Sequence, residues 1–182
     1  MLDFLYPEQC GMTIVPAKFD HHLSRRHHSR RNTMKPFTKI LTAVDFSENS
    51  ECAFYYALTL ARQFNAELTI MHVINEPVDL RGFYVPHISF EQLEKEIEES
   101  AVKMMEEFCS SKMGTYTDYK TSIVTGIPAD EITSAAGKIG ASLIVLGTHG
   151  RTGLDRILFG STAERVVRSA DCPVLTVRLP AV

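Results

Sequence analysis

Gly147, Gly150 and Gly160 stand in one stretch with Thr148, His149, Arg151 and Thr152 between them, and Ser161 follows the last glycine directly. Glycine lets a backbone pass close to a ligand, while hydroxyl, imidazole and guanidinium groups suit anionic oxygen, so this set could cradle phosphate. The plainer alternative is that the glycines only make tight turns between a strand and a helix. A second candidate is Asp45, at the end of the apolar run Ile40-Leu41-Thr42-Ala43-Val44. Its carboxylate could accept from ribose hydroxyls, or it could simply close an Asx turn at a helix entry. Asp45, His149 and Arg151 could in principle serve a slow phosphoryl transfer with magnesium bridging the phosphates. No dedicated catalytic pair stands out, however, and the glycine stretch has no lysine. The chain also lacks G-x-x-x-x-G-K-[ST] and G-x-G-x-x-G, so neither of those phosphate-binding devices applies.

The elements around the glycines are legible. Leu143, Ile144, Val145 and Leu146 read as a strand buried on both faces. Ser161 and Glu164 form a capping-box pattern, and Ala163, Val166, Val167 and Ala170 give an apolar stripe, so a helix is expected to start at Ser161. The first turn of such a helix leaves backbone N–H groups without partners, and with the dipole these attract an anion.

Upstream the same alternation repeats. A first strand ends at Asp45, and Ser47 suits the cap of a helix carrying Ala53, Phe54, Ala57, Leu58, Ala61 and Phe64. Leu68 to Ile74 reads as a second strand. A loop from Asn75 to His87 precedes a capping box at Ser89 and Gln92 and a long amphipathic helix with Leu93, Ile97, Ala101, Met104 and Phe108 on one side. Its glutamates, from Glu91 to Glu99, read as a solvated face rather than a metal site. Tyr119 to Val124 is a third strand, Pro128 opens a helix that Gly140 can end, and Val174 to Val177 is the last strand. Five strands separated by helices call for an α/β fold with a parallel, doubly wound sheet. Ligands on such sheets sit at the carboxyl ends of strands, at a topological switch point, which points to Asp45 and Gly147 together.

Composition narrows the class. The chain has 182 residues, 45% hydrophobic and 23% charged, which suits one globular domain. Its net charge of −3 argues against a general nucleic-acid binder, and no apolar run reaches membrane-spanning length. Cys10, Cys52, Cys109 and Cys172 are far apart with no C-x-x-C pair, as expected of free, buried thiols in a reducing cytoplasm. Residues 1–33 stand apart. They hold five basic and three acidic residues, against fourteen and nineteen in the remainder, and HHLSRRHHSRR from His21 to Arg31 has no apolar period. The expectation is a disordered extension that fits no packed element, with a metal- or polyanion-binding arm and a natural start at Met34 as the alternatives.

The spacing Gly147, two residues, Gly150, nine residues, Gly160 and Ser161 resembles that of nucleotide-binding members of the universal stress protein family. ILTAVD, MHVINE, VTGIPADEI and CPVLTVR extend the resemblance over Lys35 to Arg178, so that 34–182 is expected to be a universal stress protein domain. The resemblance implies a Rossmann-like, adenine-nucleotide alpha hydrolase-like sheet in the order 3-2-1-4-5. It also implies a site for ATP with magnesium, in which Ala43, Asp45 and Val73 line the adenine and ribose pocket and Leu146 and Gly147 close it. His149, Gly150, Arg151, Gly160, Ser161 and Thr162 would surround the phosphates. One departure is Ala163, where many nucleotide binders of the family carry a hydroxyl. The implied role is a cytoplasmic, ATP-binding regulatory module of the stress response. A slow ATPase and a dimeric interaction protein that binds no nucleotide are the alternatives. In the implied order Val174 to Val177 is an outer strand without charge, proline or bulge, an edge that invites a second copy and predicts a homodimer paired through it.

Overall fold

A computed structural model describes residues 11–15, 37–75, 90–148 and 160–179. In chain order the elements are strand β1 (Gly11–Val15), strand β2 (Lys39–Ala43), helix α1 (Glu48–Phe64), strand β3 (Glu67–Asn75), helix α2 (Phe90–Lys112), strand β4 (Tyr119–Gly126), helix α3 (Pro128–Ile139), strand β5 (Leu143–Gly147), helix α4 (Ser161–Ser169) and strand β6 (Val174–Arg178). Strands β2 to β6 pair in parallel, in the spatial order β4-β3-β2-β5-β6. Counted from the first parallel strand, that is the expected 3-2-1-4-5.

Both faces of the sheet are covered, and strand alternation decides which residue goes where. From β2, Ile40 joins one cluster with Phe54, Ala57 and Leu58 of α1 and Met105, Phe108 and Cys109 of α2. Its neighbour Leu41 joins the other, with Ala129, Ile132 and Ala136 of α3 and Val166 of α4. The helix ends carry the expected punctuation. Ser47 Oγ accepts from the Ser50 N–H at 3.4 Å at the start of α1. Pro128 takes the first turn of α3, and Gly140 ends it at φ 64°, a left-handed conformation that glycine adopts without strain.

Four expectations need correction. The stripe on α2 runs one residue out of the predicted register over its middle. Met105 is buried at 2% exposure, whereas Met104, Leu93 and Ile97 are 39%, 38% and 40% exposed. The 3.6-residue period fits Ala101, Met105, Phe108 and Cys109 to the core, and the first two turns of α2 lie beyond it. Second, Cys52 is disulfide-bonded, while Cys109 and Cys172 are free. Burial pushes both free thiols up, helped at Cys172 by the charge of Asp171, which disfavours the reactive thiolate.

The other two corrections concern the outer edge. Residues Gly11–Val15, read from sequence as fitting no packed element, form β1 and pair antiparallel with β6, from Gly11 opposite Arg178 to Val15 opposite Val174. The row of backbone groups expected to be open on β6 is therefore taken, because a five-residue run from the same chain supplies the missing ladder. The sheet has six strands, five of them parallel. The rest of the 1–33 extension, and the cap at Ser89, fall outside the described residues.

The aromatic centre of the first cluster gives a stability prediction. Phe54 is fully buried, with its ring 4.9 Å from that of Phe108 and 5.6 Å from that of Tyr55, in edge-on arrangements. Phe54→Ala should cost about 3–5 kcal/mol, read as a lower urea midpoint at unchanged slope.

Candidate functional site

The chain leaves β2 for β3 on one side and returns to β5 on the other, so β2 and β5 flank the switch point. A cleft of about 780 Å³ opens there, lined by the carboxyl ends of β2, β3 and β5, by α2 residues from Leu93 to Met104, and by the starts of α3 and α4. That volume is in the range of about 300–1,000 Å³ usual for small-molecule sites. Of the residues singled out from sequence, Ala43, Asp45, Val73, Leu146, Gly147, Gly160, Ser161 and Thr162 all line it. His149, Gly150 and Arg151 lie outside the described residues.

The turn after β2 is held by hydrogen bonds. Asp45 Oδ1 accepts from the Ser47 N–H at 3.1 Å and from Ser47 Oγ at 2.5 Å, and Ser50 Oγ donates to the Ser47 carbonyl at 2.9 Å. Asp45 thus closes an Asx turn, the plainer of its two sequence readings. A carboxylate offers about four acceptor positions, so this engagement does not bar a ligand hydroxyl. Between Asp45 and Ser47, Phe46 sits at φ 63°, where a bulky residue is strained. Its ring packs 4.6 Å from that of His72 and 5.7 Å from that of Phe108, contacts that hold it there. His72 Nδ1 lies 2.7 Å from the Val44 carbonyl. A carbonyl only accepts, so the nitrogen donates, and β3 is thereby tied to the end of β2.

The opposite wall is built from the start of α4. Thr148 donates its N–H to the Val177 carbonyl at 2.8 Å, and its own carbonyl accepts from the Gly160 N–H at 2.7 Å. The two ends of the glycine-rich stretch are thus pinned together. Gly160, not Ser161, is the N-cap, and no side chain caps the helix. The capping box read from Ser161 and Glu164 does not form, because Ser161 is already helical and Glu164 Oε1 accepts from Arg168 at 2.6 Å. The first N–H groups of α4 therefore have no side-chain cap facing the cleft. Gly160 lies at φ −70° and ψ 156°, a conformation open to any residue, and Gly147 is not at positive φ either. Neither glycine is needed to turn the chain; what each contributes is the missing Cβ.

Sequence reading missed the contribution of α2. Leu93, Ile97 and Met104 line the cleft as an exposed apolar wall, with Glu96 and Ser100 beside them. The available signal was the polarity of that end of the helix, with Glu91, Glu94, Glu98 and Glu99 all exposed around only two large apolar residues.

Residues 36–178 match the model of the universal stress protein family. The chain belongs to that family. A universal stress protein of Methanocaldococcus jannaschii, MJ0531, is 38% identical over 154 residues, covering 82% of this chain and 87% of the relative. The solved structure of MJ0577, from the same organism, superposes with a TM-score of 0.70 at 31% identity, covering 81% of this chain and all of that one. A universal stress protein solved in complex with cAMP shares the fold at 23% identity, with a TM-score of 0.56, covering 79% of this chain and 98% of that one.

Asp45 offers a test of how this universal stress protein keeps its site turn. Asp45→Ala leaves the Ser47 N–H and hydroxyl without their acceptor and should cost about 1–3 kcal/mol in urea unfolding. Asp45→Asn keeps an acceptor oxygen and should lose less than half as much.

Proposed function

We propose that this universal stress protein binds ATP in the switch-point cleft and acts in the stress response as a cytoplasmic, nucleotide-dependent regulatory module. The reading rests on one observation above the others: the uncapped start of α4, led by Gly160, opens on the same cleft as Asp45 at the end of β2. Phosphate would lie beside Gly160 against the uncapped N–H groups of Ser161 and Thr162, with the dipole of α4 favouring its charge. By the sequence pattern, His149, Gly150 and Arg151 would complete that cradle. The ribose would approach Asp45, and the base would lie among Ala43, Val73 and Leu146, facing the apolar wall of α2. A protein of the same fold has been solved in complex with a cyclic adenine nucleotide.

Magnesium fits this site as a companion of the nucleotide. Among the described residues no group of three or more His, Cys, Asp or Glu side chains could hold a metal alone. The described lining has two carboxylates, Asp45 and Glu96, and neither lysine nor arginine. Phosphates entering there would need their charge offset, which magnesium supplies, keeping most of its ligands as phosphate oxygens and water. Holding the nucleotide is favoured over turning it over, because Asp45 Oδ1 accepts from Ser47 and His72 Nδ1 donates to a carbonyl. None of the described helices is long and apolar enough to cross a membrane.

Gly160→Val tests the site directly. The backbone there tolerates valine, so the fold should persist, while two methyl groups would stand where phosphate approaches. At about a hundred times its dissociation constant, ATP with magnesium should stabilise the parent by roughly 2.7 kcal/mol. Thermal unfolding with and without nucleotide should show that gain in the parent and not in Gly160→Val. Equal gains in both would refute the placement.

A further inference from the structure

The pairing of β1 with β6 has a particular symmetry. The register sets Thr13 opposite Thr176, Met12 opposite Val177 and Ile14 opposite Leu175. A second copy of the chain meeting β6 across a two-fold axis at Thr176 would bring its own β6 in antiparallel, with Thr176 opposite Thr176 and Val177 opposite Leu175. Written in chain direction, β1 is Gly-Met-Thr-Ile-Val and β6 is Val-Leu-Thr-Val-Arg. The three central positions correspond in type: Met12 to Leu175, Thr13 to Thr176, Ile14 to Val177. Strand β1 thus has the place of a partner copy's β6 and, at its three central positions, the same residue types.

We propose that β1 is an internal stand-in for that partner strand, and that it keeps the chain monomeric by covering the edge through which two copies would otherwise pair. All five residues of β6 have a partner in β1, so a second copy cannot join the β6 ladder until β1 leaves. Residues 16–36 tie β1 to the core. That tether reaches at most about 70 Å, while β1 and β2 lie three strand spacings apart, roughly 14 Å. A segment confined to such a volume competes at an effective concentration of order millimolar, far above that of free chains at micromolar concentration. The capped monomer wins by proximity, and anything that draws β1 away turns the same edge into a dimer interface. Identical strands meeting at their central threonines suit a second copy better than an unrelated peptide.

The test uses the full chain without reductant, which would also cleave the disulfide of Cys52, and non-reducing gel electrophoresis checks that no intermolecular disulfide imitates a dimer. Adjacent residues of a strand point their N–H groups to opposite sides, so Met12→Pro, Thr13→Pro and Ile14→Pro combined remove ladder donors whichever residues face β6. Light scattering after size exclusion should find the parent monomeric at micromolar concentration. The triple variant should dimerise there, its apparent dissociation constant lowered by about a hundredfold or more. Amide exchange adds a local readout: Val174 to Val177 should lose protection in the diluted variant and regain it as the dimer forms. Should the proline variant fail to fold, glycine at the same three positions weakens the cap without restricting the backbone. A parent that is dimeric with its β6 amides paired to β1 would overturn the proposal. So would a folded variant with exposed β6 amides that stays monomeric at concentrations approaching millimolar.

Discussion

The cleft exists because β2 and β5 lie side by side in parallel, from Ile40 opposite Leu143 to Thr42 opposite Val145. Parallel pairing aligns the carboxyl ends of the two strands, and the chain departs from them in opposite directions. The Asx turn at Asp45, the strained Phe46 and the His72 tie shape one lip, while Thr148 and Gly160 shape the other. Without the β2–β5 register these features would be unrelated turns on one edge of a sheet.

The two lips are rigid for different reasons. On the β2 side, rigidity comes from packing, with Phe46 wedged among rings and Val44 held through its carbonyl. On the α4 side it comes from backbone hydrogen bonds joining Thr148 to Val177 and Gly160, and from Val166 packed in the core, with no side chain capping the helix. A protein stabilises its interior by satisfying polar groups, so helix N–H groups left uncapped at the rim of a cleft are a local cost to stability. The same groups suit an anionic ligand.

Most of this was legible in the sequence because burial imposes period. Strands buried on both faces read as unbroken apolar runs, and Gly140, Pro128 and Ser47 punctuate helices through constraints of a single residue. The candidate site was legible because its residues sit at strand ends and at a helix start, positions that the alternating pattern fixes. Competition between similar local signals hid the rest. A capping box and a glycine N-cap differ by one residue at Gly160-Ser161, and the three-dimensional closure onto Thr148 decides between them. On α2, Met104 and Met105 are equally apolar, and only the phase set by Ala101 and Phe108 selects one for the core. Gly11–Val15 is a short run whose partner stands at the other end of the chain, beyond the reach of any local pattern.

That separation affects how the protein is made. The ladder between Val15 and Val174 closes a loop of about 160 residues. The closure entropy for such a loop is about 4 kcal/mol or more, and nothing can repay it until β6 exists. During synthesis β1 emerges about 160 residues ahead of its partner, so this pairing waits until β6 has been made. For the whole of that interval a strand-forming segment travels without a mate, on a nascent chain whose neighbours on the same messenger carry identical segments. Whether a newly finished molecule closes on itself or meets a sibling is then a race between intramolecular closure and collision. Translation rate and ribosome spacing enter that race alongside protein concentration.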